Sequence, residues 1–365
     1  MKKIDIRIPG YPKQYPVIIG ANILDQIAEY VDFERYSSIF ICTDTNVAPL
    51  YAQKLQDVLS NQLDNISISQ CIFEAGEKNK NMSTVETAYK ALVKSKADRR
   101  TLLINLGGGV VSDMGGFIAS TFLRGIPFLT IPTTLESMVD ASVGGKTGIN
   151  FENLKNYIGV FASPEAILID VDTLKTMPER AYIQGFAEVI KHGLIQDRSY
   201  YNRISQMKPT MYSPEELKEI IGGSVQIKAD IVQQDPHEKG IRKILNFGHT
   251  VGHVLESLSL ETNQPLFHGE AVAIGMIAEA YISKCEGMLS EDEFDEVKKS
   301  INNAGLPTRF KTAIPLDHMI QMLYTDKKTE KGSVKWTLLS GIGKAEFNIV
   351  VNEKFAKEGV AYILT

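Results

Sequence analysis

Between Ser37 and Asp170, short apolar runs alternate with segments of helical periodicity, and this rhythm leaves few folds open. Ser37–Cys42, Ile66–Phe73, Thr101–Leu106, Pro127–Ile131 and Ala166–Asp170 read as strands. Helical patterns separate them at Ala48–Leu59, at Ser83–Lys96 and in a segment running to about Ser120. Strands joined through helices cannot pair as tight hairpins, so each crossover lays the next strand down in parallel, with helices covering both faces. Two further strands, 3–9 and 15–19, are predicted at the N-terminus around the turn Pro9–Gly10–Tyr11–Pro12, followed by a helix at Ala21–Tyr30. After Met177–Pro178 strand signals nearly cease, which puts a domain boundary at about residue 175. Helices are expected at about 180–196, 199–208, 214–234, 249–260, 269–286, 290–303 and 315–323, before a late hairpin of Trp336–Leu339 and Ala345–Val350.

Chemistry-bearing residues gather at the strand ends and in one histidine-rich stretch. Thr101–Leu106 runs into Gly107–Gly108–Gly109 with Asp113 close behind, a strand–turn–helix junction where backbone can approach a phosphate and a helix N-terminus offers free N–H groups. The glycine order is not G-x-G-x-x-G, so alone it is a weak dinucleotide signal. Asp44 to Asn46 and Gly76–Glu77–Lys78 end earlier strands, where an open α/β sheet binds its ligand. Gly144–Gly145–Lys146–Thr147 lacks the leading glycine of a P-loop, which rules out the nucleoside-triphosphate reading. With Asp140, Lys155 and Asn156 nearby, Lys146 suits a phosphorylated or carboxylated small molecule.

Three of the six histidines, His249, His253 and His268, fall within one short stretch. His249 and His253 stand at i and i+4 on a predicted helix, a spacing at which two imidazoles can close on one ion, and Glu188 upstream could add a carboxylate. Each histidine taken singly is equally an ordinary core or surface residue. Lys228 and Arg242 lie close in sequence to the pair, and Lys327–Lys328 reads either as a solvated face or as a basic contact.

Composition narrows the partners. A formal charge of −5 argues against a nucleic-acid surface but leaves room for a local basic pocket. Three scattered cysteines fit a reducing cytoplasm better than a disulfide framework. The N-terminus lacks the apolar core of a signal peptide, and no run reaches the ~18 apolar residues of a membrane span.

Taken together and in order, Gly107–Gly108–Gly109–Val110 with Asp113, the Asp140 to Asn150 segment, Ala187–Glu188–Val189–Ile190–Lys191, Leu245–Asn246–Phe247–Gly248–His249–Thr250 with His253, His268–Gly269–Glu270 and Asp326–Lys327–Lys328 resemble the 3-dehydroquinate synthase family. The resemblance spans nearly the whole chain. It implies an α/β N-terminal Rossmann-like domain with a mostly parallel sheet, residues 1–175, and an all-α metal-binding domain, residues 176–365. It also implies NAD, Zn²⁺ or Co²⁺, and conversion of 3-deoxy-D-arabino-heptulosonate 7-phosphate to 3-dehydroquinate with release of phosphate. By position, Glu188, His249 and His268 would hold the metal, with His253 as a hydrogen-bonding or proton-relay group. Asp140, Lys146, Lys191, Lys228 and Asn246 would be catalytic. Arg124, Lys155, Asn156, Arg242, Lys327 and Lys328 would join Lys146 and Asn246 on the substrate. Asp44, Asn46, Glu77, Lys78, Gly107, Gly108, Gly109, Asp113, Thr133 and Thr134 would face the cofactor. A cytoplasmic homodimer without nucleic-acid or membrane partners is expected. Ser112, Glu136 and Met138 depart from the family pattern beside the glycine turn and the substrate loop. The competing readings are a related sugar phosphate cyclase, a metal-dependent polyol dehydrogenase of similar layout, which would accumulate NADH, and a metabolite- or NAD-binding sensor indifferent to loss of the metal.

Overall fold

The computed structural model describes the whole chain except residues 8–13, 64–65, 153, 207, 312–314, 326–328, 331–332 and 365. The turn expected at Pro9–Pro12 and the pair Lys327–Lys328 lie outside the described residues. Packing divides the chain into two compact units, Met1–Met177 with Pro214–Ala229, and Pro178–Ser213 with Asp230–Thr365.

The first unit contains the strands β1 (Lys2–Ile6), β2 (Tyr15–Gly20), β3 (Ser38–Asp44), β4 (Ser67–Phe73), β5 (Thr101–Gly107), β6 (Phe128–Pro132), β7 (Lys146–Phe151), β8 (Leu154–Phe161) and β9 (Ile167–Asp170). Seven form one sheet in the order β1-β2-β9-β6-β5-β3-β4, parallel except for the β1–β2 pair. Central strand β5 is buried at every residue, as a parallel strand covered on both faces must be. Its side chains alternate between two cores. Leu102, Ile104 and Leu106 pack with Ile39, Ile41 and Leu129 on one face, whereas Leu103 packs with Phe40, Cys42 and Phe128 on the other.

Helix α1 (Gln53–Gln62) covers the first face through Leu55 and Leu59. The second face is covered by α2 (Met82–Lys94), through Val85, Ala88 and Leu92, and by α3 (Gly109–Thr121), through Val111, Met114 and Ile118. Each fully buried Leu, Ile or Val contributes about 1.5–3 kcal/mol of apolar burial. Helix α3 sits close on its neighbours because Gly115 and Gly116 lack side chains; a Cβ would fall 1.7 Å from Asn105 Oδ1 at the first and 2.5 Å from Thr147 Cγ2 at the second.

One expectation for this unit needs correcting: Ala21–Tyr30 yields only a 3₁₀ segment, Leu24–Glu29. Lys146 opens strand β7, which pairs antiparallel with β8.

Helix α6 (Pro214–Gln234) belongs to the first unit over Pro214–Ala229, and the second unit, which takes its last residues, is otherwise built from α4 (Glu179–Gln196), α5 (Arg198–Ile204), α7 (His249–Ser259), α8 (His268–Cys285), α9 (Glu291–Asn303), α10 (Leu316–Thr325) and α11 (Glu353–Ile363). Helix α8 is buried all round from Ala271 to Ala280, apolar except for Glu279, and forms the centre of this core. The expected late hairpin is present as β12 (Trp336–Leu339) and β13 (Ala345–Ile349), and a shorter one pairs β10 (Thr329–Glu330) with β11 (Ser333–Val334). The unit is therefore mostly, not wholly, helical, and α11 was not foreseen.

Candidate active site

In the helical unit the site starts from a carboxylate that the fold leaves without a hydrogen bond. Glu188 lies on α4 at 0% exposure, and neither of its oxygens accepts a hydrogen bond from the described residues, although Lys191 Nζ, one turn on, forms an ion pair with it. Lys191 meets Oε2, which leaves Oε1 as the oxygen that faces the two imidazoles. His249 Nε2 stands 3.7 Å and His268 Nε2 3.8 Å from Glu188 Oε1. One ligand atom from each of Glu188, His249 and His268 can be chosen so that all three lie within 4.8 Å of one another. Two ligands sharing a tetrahedral ion at ~2.1 Å stand roughly 3.4 Å apart, so this carboxylate–imidazole–imidazole set fits a small divalent cation with little adjustment. The His253 ring contacts both others, with centroids 5.2 Å from His249 and 6.0 Å from His268.

Close packing of glycines brings these groups together. Gly269 N–H donates to Gln184 Oε1 at 2.8 Å, one turn before Glu188 on α4, and a Cβ on Gly269 would fall 2.0 Å from the Gln184 carbonyl. That contact sets His268 beside Glu188. The start of α8 is held further by Glu270, which accepts from the Phe267 N–H and forms a bidentate pair with Arg180, at 2.7 Å to each oxygen. His249 opens α7 immediately after Gly248, whose φ of +81° requires glycine. Gly275 of α8 passes so close to this turn that a Cβ would lie 2.0 Å from the Gly248 carbonyl. The buried Glu279 carboxylate accepts the N–H groups of Gly248 at 2.7 Å and Val251 at 3.2 Å, capping α7 from the neighbouring helix.

The same unit holds Arg242 and Asn246. Asp235 accepts the N–H groups of Lys239, Gly240 and Arg242, which closes the loop carrying both. Burial raises the Asp235 pKa, but the three N–H donors outweigh it and hold the carboxyl below its ordinary range. Arg242 spends one donor on the Pro236 carbonyl, and Asn246 donates to Glu238.

In the first unit the sheet order reverses at β3, whose neighbours are β4 on one side and β5 on the other, and open sheets bind ligands at such a switch point. Asp44 ends β3 and Gly107 ends β5, so both flank it. The Asp44 carboxylate accepts from the N–H groups of Asn46 and Val47. Helix α3 opens at Gly108 without a side-chain cap, leaving its first N–H groups to an outside acceptor. The buried Thr133 Oγ1 has no partner among the described residues. Uncapped donors and this hydroxyl suit a diphosphate. Ser112 bonds Ser137 and the Gly108 carbonyl, so this departure from the family pattern is absorbed locally.

A second cluster joins residues expected on the cofactor side to one expected on the substrate. Buried Lys80 donates to Asp113 and to Asn156 Oδ1; Asn150 Nδ2 donates to Glu77 Oε1, and its Oδ1 accepts the Asn156 N–H. Burial alone would lower the Lys80 pKa, but the Asp113 and Glu77 charges raise it above the ordinary lysine value. Lys228 Nζ donates to both the carboxylate and the carbonyl of Asp140. Lys78, Lys146 and Lys155 are exposed. Arg124 stands apart: it follows the C-terminus of α3, at the far end from Gly108 and separated from it by roughly 20 Å of helix.

Residues 70–184 match the family model described as 3-dehydroquinate synthase N-terminal, and residues 185–329 match the corresponding C-terminal model. The chain belongs to the 3-dehydroquinate synthase family. It is 41% identical over 355 residues to a 3-dehydroquinate synthase of Legionella pneumophila (strain Lens), covering 96% of this chain and 94% of the relative. Among solved structures it resembles 2-epi-5-epi-valiolone synthase from Streptomyces hygroscopicus subsp. jinggangensis 5008 with NAD⁺ and Zn²⁺ bound, at TM-score 0.86 and 26% identity over 98% of this chain and 99% of that one. A complex of 2-deoxy-scyllo-inosose synthase with carbaglucose-6-phosphate, NAD⁺ and Co²⁺ shares the fold at TM-score 0.88 and 23% identity, with 100% of both chains covered.

Sequence reasoning missed Lys80, Asp235, Glu256 and Glu279. Lys80 shares a short run with Glu77 and Lys78, and Glu256 follows His249 by seven residues and His253 by three, on one helical face. Glu279, a lone charge inside an apolar helix, carried the plainest signal.

Proposed function

We propose that this chain converts 3-deoxy-D-arabino-heptulosonate 7-phosphate to 3-dehydroquinate and phosphate, through transient oxidation, phosphate elimination, re-reduction and intramolecular aldol closure. This is a carbon–oxygen lyase step on the route to aromatic amino acids. The observation that carries the reading is buried Glu188 faced by two imidazole nitrogens, in a chain matched to 3-dehydroquinate synthases over most of its length. We assign Glu188, His249 and His268 to Zn²⁺ or Co²⁺. We assign Asp44, Asn46, Glu77, Lys78, Gly107, Gly108, Gly109, Asp113, Thr133 and Thr134 to NAD, in an N-terminal domain of residues 1–175. A helical metal- and substrate-binding domain of residues 176–365 follows it. The Glu188 Oε1 atom facing both imidazoles, the uncapped start of α3 and the Thr133 hydroxyl, without a hydrogen bond among the described residues, support these assignments.

Held by the residues assigned above, NAD would supply a reversible hydride acceptor and the divalent ion would supply Lewis acidity. The chain's own groups bind and move protons around that chemistry. Arg242, whose guanidinium donates to the Pro236 carbonyl, is assigned to the substrate phosphate or carboxylate, with Lys146, Lys155, Asn156 and Asn246 as further contacts. Lys327 or Lys328 supplies another cation. Lys228 keeps an ammonium against the Asp140 carboxylate, a pair able to hold or pass a proton at Nζ, and Lys191 does the same beside Glu188. His253, whose ring packs against those of His249 and His268, is assigned to hydrogen bonding or proton relay at the substrate.

We further infer a cytoplasmic homodimer. Phe151, Tyr157, Val160 and Phe161 leave an exposed apolar patch on the β7–β8 hairpin, and three free thiols fit a reducing compartment. A phosphate-release assay comparing the heptulosonate phosphate with sedoheptulose 7-phosphate tests the substrate. Turnover confined to the former is expected, and preference for the latter would move the chain to another cyclase activity.

A further inference from the structure

An imidazole holds a cation through an unprotonated nitrogen, and the partner of its other nitrogen decides which one that is. His249 Nδ1 lies 3.2 Å from the Phe247 carbonyl oxygen. A carbonyl only accepts, so Nδ1 carries the proton and Nε2 turns its lone pair toward Glu188. His268 solves the same problem differently: its Nδ1 lies 3.4 Å from Glu256 Oε2, a carboxylate on α7. The difference matters because His268 is the looser of the two, its side chain 27% exposed against 11% for His249. Its backbone is anchored at Gly269 and Glu270, and its ring is met at Nδ1 by Glu256. Glu256 is itself only 12% exposed, so its carboxylate is not a mobile surface charge.

We propose that Glu256 is a positioning residue for the metal site, orienting the His268 ring and holding its proton on Nδ1 so that Nε2 faces the ion beside Glu188. The inference rests on the assignment of Glu188, His249 and His268 as ligands. It makes the site asymmetric, with one imidazole steered by a neutral carbonyl within its own turn and the other by an anion from the neighbouring helix. It also ties α7 to the start of α8 at the point where the two histidines must converge.

The test is Co²⁺ binding to the metal-free full-length chain, followed by visible ligand-field absorption and by competition with a chromogenic chelator. Glu256→Ala is expected to raise the Co²⁺ Kd about 10–100-fold and to alter the absorption band, with the thermal midpoint of the metal-free protein little changed. Glu256→Gln keeps an oxygen that accepts from Nδ1–H, so it should recover most of the affinity and the wild-type band. An unchanged Kd and spectrum in Glu256→Ala would overturn the proposal, as would equal losses in the Ala and Gln variants. His268→Ala separates this claim from its premise. If that variant binds Co²⁺ like the wild type, the ligand assignment fails. If it loses Co²⁺ while Glu256→Ala keeps it, only the role of Glu256 fails.

Discussion

Lys80 shows what a single buried charge does here. At 3% exposure its ammonium is stable only because Asp113 and Asn156 surround it, and removing one member of such a pair leaves an uncompensated buried charge. Lys80→Met should therefore destabilise the protein by about 3–5 kcal/mol, read as a lowered urea midpoint, and should weaken NAD binding through the displaced Asp113. Asp235 gives a pH-dependent counterpart. Its folded-state pKa is depressed, so its contribution is present above the unfolded value of about 4 and is lost as pH falls through the folded value. The stability gap between wild type and Asp235→Asn should be full at pH 7 and should close in acid, as measured by urea denaturation at each pH. Sequence reading singles out charges with motif neighbours, such as Glu188 and the histidines. It passes over Lys80 and Glu279 because their partners lie far along the chain: Lys80 meets Asn156, and Glu279 meets Gly248.

At the scale of elements, the α7–α8 seam depends on missing side chains. Gly248, Gly252 and Gly275 let two backbones approach closely enough for His249 and His268 to converge on Glu188. Gly275→Ala would put a methyl group 2.0 Å from the Gly248 carbonyl and force the helices apart. An overpacking cost of about 1–3 kcal/mol is expected, with a lower thermal midpoint and weaker Co²⁺ binding in the same variant. The central strands and most helices were legible in the sequence because their apolar spacing matches one period throughout, as in α6, expected over 214–234 and observed at Pro214–Gln234. The β7–β8 hairpin was not legible. Gly148 and Gly159 face each other across it, where a Cβ on either would strike partner backbone at 2.6 or 2.3 Å, and glycine inside a strand reads as a turn. The strand order, with β9 between β2 and β6, likewise follows from pairings between distant segments that local periodicity does not encode.

For the molecule as a whole, a formal charge of −5 stands against a substrate carrying phosphate and carboxylate. The proposed substrate contacts would resolve the conflict with local cations: Lys146 and Lys155 are exposed, whereas Arg242 is buried and preset by its loop. Binding should therefore weaken with ionic strength, seen as a rising KM for the heptulosonate phosphate with added salt. Exhaustive chelation should abolish turnover, and Zn²⁺ or Co²⁺ should restore it. The central claim is a reaction in which NAD works as a catalyst with no net redox change. Phosphate release and nicotinamide absorbance followed together, with the heptulosonate phosphate in large excess over NAD⁺, test it most directly. Phosphate should accumulate far beyond the NAD⁺ supplied without a lasting rise in NADH, whereas steady NADH production without phosphate release would contradict the account.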